Sequence, residues 1–142
     1  MSTLNKIHLV GDGRHEEAVA AGAITPGMLI TQNNAGKVIA HGTAGGWAEK
    51  AFAVEDALQG KTIDDACASG DTVSFVLAQP GEVIQAWLSG GESADTSEFL
   101  TSNGDGTLKV ATSTDIRIAV PLENVDASDS ADVNERIKVR IL

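Results

Sequence analysis

Ala21-Gly22-Ala23-Ile24-Thr25-Pro26-Gly27-Met28-Leu29-Ile30 sets a small-residue segment against an apolar run across a Pro-Gly step. Proline holds φ for the first central position of a turn, and glycine supplies the positive φ that the second demands. Residues 28–31 therefore leave the turn as a strand. Asn33-Asn34-Ala35-Gly36 turns that strand back into residues 37–41, which predicts a hairpin. Pro80-Gly81 repeats the device between the apolar runs 72–77 and 83–88.

Working outward, the Asn-Gly and Asp-Gly steps of Asn103-Gly104-Asp105-Gly106 predict a second hairpin between residues 99–102 and 107–111. Residues 116–120 form another apolar run, and Pro121 limits it to a sheet edge or a strand end. The closing strand alternates cleanly: Ile137, Val139 and Ile141 on one face, Arg136, Lys138 and Arg140 on the other. Residues 47–55 read as a strand of unassigned register, and residues 89–98 as an exposed polar loop. Thr62 with Asp65 three positions on is a helix-start pattern, predicting a short helix over residues 63–68. Residues 14–21 read equally as one or two helical turns or as a loop. Seven or more short strands at close turn spacing give an all-β fold, a compact barrel or sandwich with at most one or two short helices.

The chain has 142 residues, enough for one domain with a real core. Only three Phe, two Trp and no Tyr occur, so Val, Ile, Leu and Ala must build that core. Residues 14–142 are assigned to a single β domain. Residues 1–13 precede it as an extended arm, hinged at Gly11-Asp12-Gly13 and carrying Ile7, Leu9 and Val10 as apolar anchors. Such a segment can add as a strand to a partner's sheet. An ordinary first strand of the same barrel is the alternative.

Net charge is −10, unevenly placed. Residues 1–40 hold three basic and three acidic groups, residues 41–132 four and sixteen, and residues 133–142 three and one. An acidic middle argues against nucleic-acid binding, which needs a basic face. It suits a soluble body with docking ends. Neither an apolar stretch of about 20 residues nor a basic-then-apolar leader is present, so the chain is expected to be soluble and made in the cytoplasm. Cys67, alone among small neighbours, reads as a packed spacer.

His8, His15 and His41 lie far apart in the chain, and the position after His15-Glu16 where a zincin needs a second His holds Val19. Gly60-Lys61-Thr62 lacks the earlier glycine of a phosphate loop, whose place Glu55 takes. Asp126, Ser128, Asp129 and Asp132 lack the glycine and closing Glu of an EF-hand. The paired acids Glu16-Glu17, Glu55-Asp56 and Asp64-Asp65 point apart on a strand or helix. No enzyme, metal or cofactor is implied. Trp87 reads as core, and Trp47, after a glycine-rich loop, as a candidate subunit contact. A small-ligand or carbohydrate-binding β module is the alternative function, although five aromatics leave few for a sugar platform.

The 21–30 stretch, Ala68-Ser69-Gly70-Asp71-Thr72-Val73-Ser74-Phe75, Gln79-Pro80-Gly81-Glu82-Val83-Ile84-Gln85-Ala86-Trp87-Leu88, Phe99-Leu100-Thr101-Ser102-Asn103-Gly104-Asp105-Gly106-Thr107-Leu108 and the closing residues 133–142 occur in an order that resembles the capsid decoration, or cement, proteins of tailed bacteriophages. That resemblance implies a β-tulip-like fold that sits as homotrimers on the outside of an expanded head. There it would bind the major capsid protein and tie neighbouring coat subunits together. On that reading the arm around Leu4, Ile7, Leu9 and Val10 contacts the capsid, Trp47 is a subunit contact, and the stripe Arg136, Lys138 and Arg140 meets a neighbouring copy's acids or acidic coat surface.

Overall fold

Gly27 adopts φ of +98°, and the Thr25 carbonyl accepts the Met28 N–H at 3.1 Å, closing the turn that Pro26 begins. A Cβ at position 27 would also stand 2.9 Å from the Gln85 carbonyl oxygen, so the turn packs where only glycine fits. The structure, a computed structural model, describes residues 6–126 and 133–142. Its strands are β1 (His8–Val10), β2 (Arg14–Val19), β3 (Leu29–Gln32), β4 (Val38–Ala40), β5 (Ala51–Ala53), β6 (Thr72–Leu77) and β7 (Val83–Leu88). They continue as β8 (Ser93–Ala94), β9 (Leu100–Ser102), β10 (Leu108–Val110), β11 (Ala119–Pro121), β12 (Val125–Asp126) and β13 (Glu135–Ile141), with one 3-10 turn at Ala57–Gln59.

Strands β7, β10, β9, β11 and β13 pair in that order, and β13 pairs back onto β7, closing a five-stranded barrel. Strand β1 joins it along β7. A second sheet runs β2-β6-β5-β3-β4, and β8 with β12 forms a small ribbon. Side chains alternate along the second sheet between two cores. Leu29, Phe52 and Val76 enter the barrel core, while Ile30, Ala51, Ala53 and Phe75 pack on the opposite face with Ile24, Val38 and Cys67. A sheet buried on both faces loses its polar alternation. That is why the register of β5, where Ala51, Phe52 and Ala53 are all buried, was not legible. The strand is also short, because Lys50 takes φ of +62° immediately before it.

Both predicted hairpins form, β3 with β4 and β9 with β10. The Pro80-Gly81 turn does something else: it passes the chain from β6 in one sheet to β7 in the other. Residues 63–68 are not helical. The helix-start hydrogen bonds are made, since Asp65 accepts the Thr62 N–H at 2.7 Å. Extended pairing of Cys67 with Ile24, through bonds of 2.9 and 2.7 Å, then draws the chain away. Residues 14–19 are a strand, the edge partner of β6 across six residue pairs.

The N-terminal segment is corrected from residue 7 onward. Ile7 is fully buried in the barrel core, and His8 and Val10 pair with Ile84 and Val83. Buried Ile7 and the strand His8–Val10 thus belong to the barrel sheet and are not a free arm, because the apolar side chain gains more against the core than in water. Leu4 lies outside the described residues.

Candidate functional site

The closing strand brings Arg136 opposite Trp87 of β7. The guanidinium lies 4.3 Å from the indole ring centroid, a cation–π contact. Its Nη2 donates to the Pro26 carbonyl at 3.2 Å and the Ile63 carbonyl at 2.9 Å. The indole N–H donates to the same Pro26 carbonyl at 2.9 Å. Arg136 is therefore an internal strut with a side chain only 10% exposed, and its assignment to a subunit contact is withdrawn. Trp87 is half-buried, a lining residue and not a core one. Of the basic stripe, Arg140 is exposed and Lys138 half-buried, so the outer face keeps two cations.

Trp47 is 77% exposed, yet its backbone is held firmly. Its carbonyl faces Nε2 of buried His41 at 2.8 Å, and His41 Nδ1 stands 2.7 Å from the Ser102 hydroxyl. A carbonyl only accepts, so Nε2 carries the proton and Nδ1 accepts from Ser102. The Ser102 hydroxyl oxygen in turn accepts the Gly104 N–H at 3.1 Å. Gly45 donates to the Ser102 carbonyl and accepts from Ile116 N–H, at 2.9 and 3.0 Å. These bonds carry two exposed apolar side chains, Trp47 and Ile116, on loops joined to each other.

A cavity of about 380 Å³ opens beside Trp87, lined by Thr25, Met28, Asp105, Thr107 and Asn134. Burial pushes the Asp105 carboxyl up, but hydrogen bonds from the side chain and backbone of Thr107, with help from Asn103, outweigh it and hold the group below the ordinary 3.8. The arrangement offers hydrogen-bond acceptors and an aromatic flank.

Sequence reading missed one juxtaposition. His8 and His15, seven residues apart, stand on either side of Gly11-Asp12-Gly13, on β1 of the barrel sheet and β2 of the second sheet. Their ring nitrogens, Nδ1 of His8 and Nε2 of His15, are 3.1 Å apart. His8 Nε2 meets the Glu82 carboxylate at 2.5 Å. The signal lay in the spacing: two histidines flanking a short glycine-containing link between strands. Among the described residues, no cluster of three or more His, Cys, Asp or Glu able to hold a metal occurs, and no helix is long and apolar enough to cross a membrane.

Compared with protein-family models the chain matches none, and no curated protein matches it. Among solved structures it is similar in fold to the N base of the head fiber gp8.5 of bacteriophage phi29, with a TM-score of 0.60 at 11% identity. The match covers 91% of this chain and 93% of that one.

Proposed function

We propose that this chain is a non-enzymatic structural protein of a tailed-phage head, carried on the outer surface of the capsid. The observation that carries the reading is the fold shared with the base of a phage head fiber over nine-tenths of both chains. The resemblance of five sequence stretches to decoration proteins points the same way independently. The finer reading is a cement protein that binds the major capsid protein as homotrimers. Three weak contacts on one trimer act as one strong unit, because after the first docks the others meet coat at high effective concentration. Capsid contact is assigned to Leu4, Leu9 and Val10, and subunit contact to Trp47, Lys138 and Arg140. Ile7 and Arg136 are released from these roles because each is engaged within its own fold.

Co-sedimentation with expanded heads lacking the protein, beside unexpanded proheads, tests the reading. Saturable uptake by expanded heads in multiples of three, with added resistance to heat, is expected. Binding to neither form overturns it. A small-ligand or carbohydrate-binding module is the second reading, favoured by the cavity beside Trp87. A saturable change of tryptophan fluorescence with a sugar panel would support it.

A further inference from the structure

We propose that His8 and His15 form a two-histidine site for a divalent transition-metal ion, with Glu82 as the carboxylate behind it. The inference does not rest on the phage reading.

Geometry comes first. Imidazole nitrogens bind zinc at about 2.0–2.1 Å, which puts two of them roughly 2.9–3.4 Å apart around an octahedral or tetrahedral ion. The 3.1 Å between His8 Nδ1 and His15 Nε2 falls inside that range. The rings are tilted by 51°, with centroids 5.1 Å apart, so they do not stack. A small rotation admits an ion between the two nitrogens.

Proton placement follows from Glu82. A carboxylate only accepts, so His8 Nε2 carries a proton, and in the neutral ring Nδ1 then holds the lone pair that faces His15. Without an ion, His15 Nε2 donates its proton into that lone pair. When an ion binds, the His15 proton moves to its own Nδ1 and both ligand nitrogens are free. No proton is lost from the pair.

The carboxylate is built in. Glu82 is 5% exposed, and its Oε2 accepts the Gln79 N–H at 3.0 Å. Gly11 and Gly13 leave the space it occupies, since a Cβ at either position would collide with its side chain. A buried carboxylate behind a ligating imidazole fixes the ring and raises its basicity, the usual outer-shell arrangement of histidine metal sites. On the open side lies a cavity of about 260 Å³ lined by both histidines, Glu55 and Ser74 among others, with room for water to complete the coordination. Imidazole ligands favour Cu²⁺, Ni²⁺ and Zn²⁺ over Mg²⁺ and Ca²⁺. An ion here would join β1 of the barrel sheet to β2 of the second sheet, close to where the described chain begins.

The full chain, stripped with chelator, is titrated with Zn²⁺ by calorimetry and with Cu²⁺ under electron paramagnetic resonance. One ion per chain, hyperfine coupling to two nitrogens, and a melting temperature that rises with Zn²⁺ but not Mg²⁺ are expected, because a ligand of the folded state stabilises by mass action. His15→Ala alters an exposed ring and should keep the fold while removing the coupling and the thermal shift. Glu82→Gln should weaken binding about 10-fold or more. Absence of two-nitrogen coupling, or His15→Ala binding as tightly as the unmodified chain, overturns the proposal.

Discussion

β13 and β1 both lie along β7, yet they are held there by opposite means. β13 pairs with β7 at six positions and with β11 at three, and buries Ile137, Val139 and Ile141. β1 pairs at only two positions, across an irregularity. Its hold comes from Ile7 in the core and from side chains: Glu55 near the Ile7 N–H, Gln85 Nε2 donating to the Lys6 carbonyl, and Glu82 on His8. β13 is fixed chiefly by a long ladder and apolar burial, with Arg136 adding a polar strut. A strand fixed by a single anchor and polar contacts can be tuned, and β1 carries His8, one of the two histidines of the proposed metal site.

The largest expected effect breaks β13. Val139→Asp buries an unpaired carboxylate and should cost more than about 4 kcal/mol; loss of cooperative urea unfolding would check it. Next, Ile7→Ala should cost about 2–4 kcal/mol by leaving a cavity in the core, read as a lower urea midpoint. An unchanged midpoint would mean that β1 contributes nothing to the fold. The basic stripe then sharpens the comparison within β13 itself. Arg136→Ala should lose about 1–3 kcal/mol through the orphaned Ile63 carbonyl and the lost contact with the Trp87 ring, whereas Arg140→Ala should stay within about 0.5 kcal/mol. Equal effects at both positions would remove the strut.

The smallest effect is a control remote from both strands. The Asp105 carboxyl is held below 3.8 in the folded chain, so its ionised form stabilises above that pH and the contribution is lost as pH falls through the lowered value. Asp105→Asn should be less stable than the unmodified chain at pH 7, and the gap should close below pH 3.8 in thermal melts across that range. A gap that is constant with pH would contradict it.

Much of the fold was legible because its signals are local. Gly27 and Gly36 take the positive φ that their turns require, and Ile137, Val139 and Ile141 keep period two because one face of β13 is core. The β2 strand was not legible: four of the six residues of Arg14–Val19 are exposed and their order has no apolar period. Its conformation comes from pairing with β6. The absent helix at 63–68 has the same cause, since its start signal is satisfied locally and then overruled by Ile24.

The candidate surface divides along the same line. That Trp47 stands exposed while Arg136 is engaged inside the fold could not be read from either residue's neighbours in the chain. Both follow from contacts across 55 or more positions, Ser102 behind His41 for the first, Ile63 and Pro26 for the second. By itself the sequence determined the all-β class, the two hairpin turns, the acidic body and the apolar face of the closing strand, because turn stereochemistry and side-chain period act over a few residues. Only the tertiary structure decided that Pro80-Gly81 changes sheets, that residues 7–10 belong to the barrel, and that His8 meets His15 and Glu82. Those outcomes depend on which surfaces bury one another, and that is a property of the folded whole.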